Sequence, residues 1–131
     1  RFNDDFPHEQ EINERLVNVI QFIDECGFEP KSRIWRKADL YSLLIELDIA
    51  INRKGLALQP GVVLNSIQSF MDGIEKNLYE SSFSHAVYYK AALQATNDKI
   101  NRIRRGSVIG LLIEGESLGD IDRYLSESGL A

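Results

Sequence analysis

Leu40-Tyr41-Ser42-Leu43-Leu44-Ile45-Glu46-Leu47-Asp48-Ile49-Ala50-Ile51 is the stretch that decides the fold. Apolar side chains at 40, 44, 47 and 51 keep the spacing of one helix face, and 43, 45 and 49 widen that face almost all round. Only Ser42, Glu46 and Asp48 interrupt it. A helix apolar over so much of its circumference has to be covered on several sides. The expectation is the central helix of an all-α domain, a single irregular or orthogonal bundle of five to six helices.

The flanking sequence supplies the rest of such a bundle. Ile12, Leu16, Val19, Ile20 and Ile23 predict a buried stripe on a first helix, capped by Asp4 or Asp5 with Pro7 in its opening turn. Gly27 is placed to end it, and Pro30 blocks continuation. Asp39 is an N-cap or first-turn acid for the central helix, and Gly55 closes that helix after Arg53 and Lys54. Pro60 and Gly61 open a third helix with Leu64, Ile67, Phe70, Met71, Ile74 and Leu78 inward. Gly73 within it suggests a close helix crossing. Ser84 predicts the cap of a fourth helix, with Val87, Tyr88, Ala91 and Ala92 inward. A fifth helix restarts near Thr96-Asn97-Asp98 with Ile100, Ile103, Val108, Leu111 and Leu112 inward, and Gly106-Ser107 is a candidate kink. Ser117 to Asp120 start a short last helix, with Ile121, Tyr124 and Leu125 inward. No alternating β-branched run suggests a sheet.

Composition narrows the function. The chain has 131 residues, a net charge of −5 and one cysteine, Cys26. One domain is the expectation at this length, and no internal disulfide can form, which fits a reducing, cytoplasmic setting. No apolar run approaches a membrane span, so no membrane partner is expected. The chain begins with Arg1, and its only methionine is Met71. The expectation is a segment of a longer protein. Residues 1–30 hold eight carboxylates, whereas 31–37 and 99–105 hold four basic side chains each.

The second basic cluster is the leading site candidate. Lys99, Arg102 and Arg105 are three apart and predict a basic stripe on one helix face, with Asn97 adding an amide at the helix start. Such a stripe can hold phosphate or carboxylate. The plainer reading is a solvated face, or arginines paired with acids of the first helix. In the first cluster Lys31, Arg33, Arg36 and Lys37 surround Trp35, a pattern that suits single-stranded nucleic acid but equally an aromatic anchor in a core or at a domain interface. His8 and His85 pair with nothing at zinc-ligand spacing, Cys26 reads as a small hydrophobe at a helix end, and the glycines form no phosphate loop. No metal, no cofactor and no catalytic residue is expected.

Three segments carry a resemblance: Ser-Arg-Ile-Trp-Arg-Lys-Ala-Asp-Leu-Tyr-Ser-Leu-Leu at 32–44, Tyr-Tyr-Lys-Ala-Ala-Leu-Gln-Ala-Thr-Asn-Asp at 88–98, and Asn-Arg-Ile-Arg-Arg-Gly at 101–106. Together they resemble the helical C-terminal region of the bacterial ParB-like, GmrSD-type family. That family joins such a region to an N-terminal ParB-like domain of suspected nucleotide-hydrolysing or nuclease activity, and some members are linked to phage defence. Its Asp-Gly-Gln-rich chemical signature is absent here. The resemblance therefore implies a non-catalytic accessory domain that packs on its own N-terminal domain, with Asn97, Arg102 and Arg105 matching the family's Thr-Asn and spaced-arginine motif and facing either that domain or nucleic acid. The alternative is a free-standing interaction module, monomer or dimer, that takes a partner helix.

Overall fold

The structure, a computed structural model, describes residues 6–93 and 98–131, with side chains from Glu9 onward. Among the described residues there are six α-helices and no strand: α1 (Phe6–Cys26), α2 (Lys37–Asp48), α3 (Pro60–Glu75), α4 (Phe83–Leu93), α5 (Lys99–Ile113) and α6 (Leu118–Glu127). The bundle is all-α. α2 is its middle element, packed on α1 and α5, and a wide π-helical turn, Ile49–Arg53, extends it. Leu43 and Leu47 are fully buried and Ala50 nearly so, while Tyr41 and Ile45 face outward.

Local chemistry explains most helix ends. Gly27, Gly55 and Gly115 follow α1, the π turn and α5 with φ of 71°, 65° and 84°, the left-handed region where a side chain is costly. Pro60 occupies the first turn of α3. Asp98 accepts a bond from the Ile100 amide at the start of α5, and Ser117 one from the Asp120 amide at the start of α6. Asp39 is a first-turn acid of α2, whose N-cap residue is Arg36. The expected caps Asp4 and Asp5 lie outside the described residues.

The packing corrects several faces. α1 leans on the bundle through Val19, Phe22, Ile23 and Cys26, and Ile12, Leu16 and Ile20 are exposed. The two stripes overlap on the helix surface, and periodicity cannot tell which of them a neighbour covers. α4 begins at Phe83, two residues earlier than expected. Ser82 sits at its N-cap and meets His85 Nδ1 at 2.7 Å, while the fully buried Ser84 hydroxyl instead donates to Asp122 of α6. α5 runs unbroken through Gly106 and Ser107. Tyr124 of α6 and Leu78 face outward. The glycine at 73 does mark a close approach, but to a side chain: a Cβ there would stand 2.5 Å from His85 Nε2. That imidazole is buried, stacked on Phe70 with centroids 4.1 Å apart, and burial lowers its pKa.

A polar cluster lies inside the bundle. Asp39 is 1% exposed, and its carboxylate accepts a hydrogen bond from the Tyr88 hydroxyl of α4. Arg33 Nε stands 3.4 Å from the other carboxylate oxygen, and the Arg33 guanidinium lies 5.9 Å from the Tyr89 ring centroid. Arg105 of α5, also 1% exposed, donates to Ser42 Oγ at 3.4 Å and to the Ala91 carbonyl at 3.1 Å. Burial raises the Asp39 pKa, opposed by the Tyr88 hydrogen bond and the nearby arginines. The Tyr88 hydroxyl is pushed well above its ordinary value by burial and by that carboxylate.

The cluster separates two arginines that look equivalent in sequence. Removing one member of a buried charge cluster costs about 3–5 kcal/mol, whereas exposed substitutions stay within about 0.5 kcal/mol. Arg105→Ala is therefore expected to lose about 3–5 kcal/mol of stability, read as a lower urea midpoint with an unchanged slope. Arg102→Ala is expected to leave the midpoint where it was.

Candidate interaction groove

The polar residues of α2 decide where this groove lies. Asp39, Ser42 and Glu46 share one helix face, spaced three and four residues apart, and that face meets α5. The two helices run the same way. Ser42 meets Arg105, Glu46 meets Gly106 and Gly110, and Lys54 beyond the π turn meets Glu114. The third interruption of the apolar pattern, Asp48, turns the other way and binds Arg15 of α1 at 2.5 Å.

Where α5 presents Gly106 and Gly110, a groove of about 710 Å³ opens between the helices. Tyr41 and Ile45 of α2, Ile103 of α5 and Tyr124 of α6 line it. All four are exposed. Lys99 and Arg102 mark one end, and the Lys54–Glu114 ion pair, 2.6 Å long, marks the other.

Glu46 lies along the floor. Its two carboxylate oxygens stand 2.8 and 2.7 Å from where a Cβ on Gly106 or Gly110 would be. Only glycine at both positions lets the carboxylate lie this close to the α5 backbone. The side chain is half-buried, and no described residue hydrogen-bonds to its carboxylate. Burial raises its pKa; Lys54 acts against that and Glu114 adds to it. The Lys54 ammonium, which acts on it electrostatically, is held by Glu114.

The predicted basic stripe does not form. Lys99 and Arg102 are exposed on α5, but Arg105 points inward to Ser42 and Ala91. Asn97 lies outside the described residues. Ile100 and Ile103, expected inside, are outside, because α5 turns Asn101, Arg105, Val108, Ile109, Leu112 and Ile113 to the core. Two polar residues on a core face hide that face from hydrophobic periodicity. The neighbouring Arg104 bonds the Leu130 carbonyl at 2.8 Å and ties down the C-terminal end.

The first basic cluster is also dispersed. Arg33 is interior, against Asp39. Trp35 is 41% exposed, but its indole N–H donates to the Glu29 carbonyl at 2.8 Å and its ring meets Phe28 edge-on, so it braces the loop before α2. Arg36 reaches Glu75 at 3.9 Å on the surface, and Lys37 is exposed. Among the described residues no group of three or more His, Cys, Asp or Glu side chains could hold a metal ion. Burial pushes the Cys26 thiol up to about 11, unsuited to a nucleophile. No helix among the described residues is long and apolar enough to cross a membrane. The groove residues missed in the sequence, Glu46, Gly106 and Gly110, had one available signal, the four-residue glycine spacing that bares a helix face.

Glu46 has a measurable signature. Its folded-state pKa lies above the ordinary 4.5, so the native state holds the proton more tightly than the unfolded chain does. The penalty is absent well below pH 4.5 and sets in as pH rises through 4.5 to the folded value. Glu46→Gln is expected to be more stable than wild type at pH 7 and equal to it in acid. Thermal melts across that range check this.

No family model, curated protein or solved structure matches the chain, so its family is not shown, and the bundle and its groove are the ground for assigning a role.

Proposed function

We propose that this domain is a non-catalytic interaction module that seats an amphipathic helix in the groove between α2 and α5. One observation carries the reading: Tyr41, Ile45, Ile103 and Tyr124, from three different helices, stand exposed and line one groove. Apolar walls with charged ends are the lining of a helix-in-groove site. The 15 residues of α5 are about 22 Å long, matching about four turns of a partner. The resemblance to ParB-like, GmrSD-type proteins makes the ParB-like domain of the same parent chain one source of that helix, and a separate protein is the other. Nucleic-acid contact is a weaker reading, since Arg105 and Arg33 are interior and Glu46 and Glu114 share the groove with Lys99 and Arg102.

Two experiments test this. A display library of amphipathic helices is expected to yield peptides that raise the melting temperature of the domain. They should bind Ile103→Asp at least about tenfold more weakly. An empty selection, or peptides indifferent to Ile103→Asp, overturns the groove. In fluorescence anisotropy, duplex and single-stranded DNA are expected to show no micromolar binding at physiological salt, by wild type or by the Lys99→Ala/Arg102→Ala variant. Salt-dependent binding lost in that variant would instead restore the nucleic-acid reading.

A further inference from the structure

We infer that the groove reads charge as well as shape: the seated helix presents a lysine or arginine to Glu46. This rests on the groove reading above and adds the identity of the partner's central polar residue.

The floor is built for a cation. The Glu46 carboxylate lies over Gly106 and Gly110, which have no side chain to donate to it, and no other described residue hydrogen-bonds to it. The α5 backbone N–H groups beneath are committed to their own helix. Lys54, which acts on Glu46 electrostatically, spends its ammonium on Glu114. A carboxylate half-removed from water and lacking a donor is destabilising until a cation reaches it. Hydrophobic walls flank it, and lysine and arginine carry aliphatic stems that lie along such walls with the charge at the tip.

The ends of the groove define the rest of the partner. Lys99 and Arg102 stand four to eleven residues before Gly106 and Gly110 along α5, about 6–17 Å. An acid on the partner helix, roughly two turns from its basic residue, would meet them. The Lys54–Glu114 pair at the far end is already neutralised and asks for no charge. The occupant that fits is an amphipathic helix with one base at its centre and an acid nearer one end.

The same display library, with its polar positions randomised, is the test. Peptides selected on wild type are expected to share lysine or arginine at one polar position. They should lose about tenfold in affinity for Glu46→Gln. Selection on Glu46→Lys should replace that base with aspartate or glutamate. Peptides that depend on Ile103 but show no basic position, or bind Glu46→Gln as tightly as wild type, overturn this inference and leave the groove standing. An empty selection removes both. As a second measurement, hexylammonium titrated into the labelled domain should shift the amide signals of Gly106 and Gly110 in wild type and not in Glu46→Gln. Hexanol shifting them equally would overturn the charge reading.

Discussion

A single buried carboxylate holds the middle of this bundle together. Asp39 sits at the start of the central helix, accepts the Tyr88 hydroxyl of α4, and pairs with Arg33 from the turn before α2. Arg105 of α5 lies in the same pocket, bonded to Ser42 one turn further along α2 and to the last turns of α4. Four chain segments therefore meet through polar contacts that have to be made together. An apolar interface could slide by a fraction of a turn with little penalty, but a buried arginine without its partners cannot. This contact sets how α2 and α5 are rotated against each other.

That rotation creates the groove. With Arg105 turned inward, Gly106 and Gly110 follow on the side of α5 that faces Glu46, and Ile103 is carried to the surface. The same turn leaves Lys99 and Arg102 at the groove mouth. Core and site are thus one arrangement: the polar stripe of α2 is met at Asp39 by Tyr88 and Arg33 and at Ser42 by Arg105, and is left without a donor among the described residues at Glu46. Burial without a donor makes that last position a cost to stability.

Other polar ties close the bundle outside this axis. Arg15 with Asp48 fastens α1 to α2, Ser66 Oγ donates to the Leu112 carbonyl to hold α3 on α5, and Ser84 with Asp122 joins α4 to α6. Each spans more than thirty residues of sequence, as their separations of 33, 46 and 38 show. Around them Ile34, Leu43, Leu47, Ile67, Met71, Ile109, Ile121 and Leu125 are buried almost completely and supply the hydrophobic drive.

Read alone, the residues determined the all-α class, the central helix, and most of the helix ends. Those are local matters: a 3.6-residue apolar period, a proline in a first turn, a glycine where the backbone must turn left-handed, an aspartate or serine within reach of an amide. Only the tertiary structure decided which face of α1 and of α5 is inside. Ile12, Leu16, Ile100 and Ile103 looked like core and are exposed, while Arg105 looked like surface and is buried. The physical reason is that a charged side chain becomes interior only when distant segments bring it partners, and a stripe becomes core only when another element covers it. Neither condition is written in the spacing of one helix.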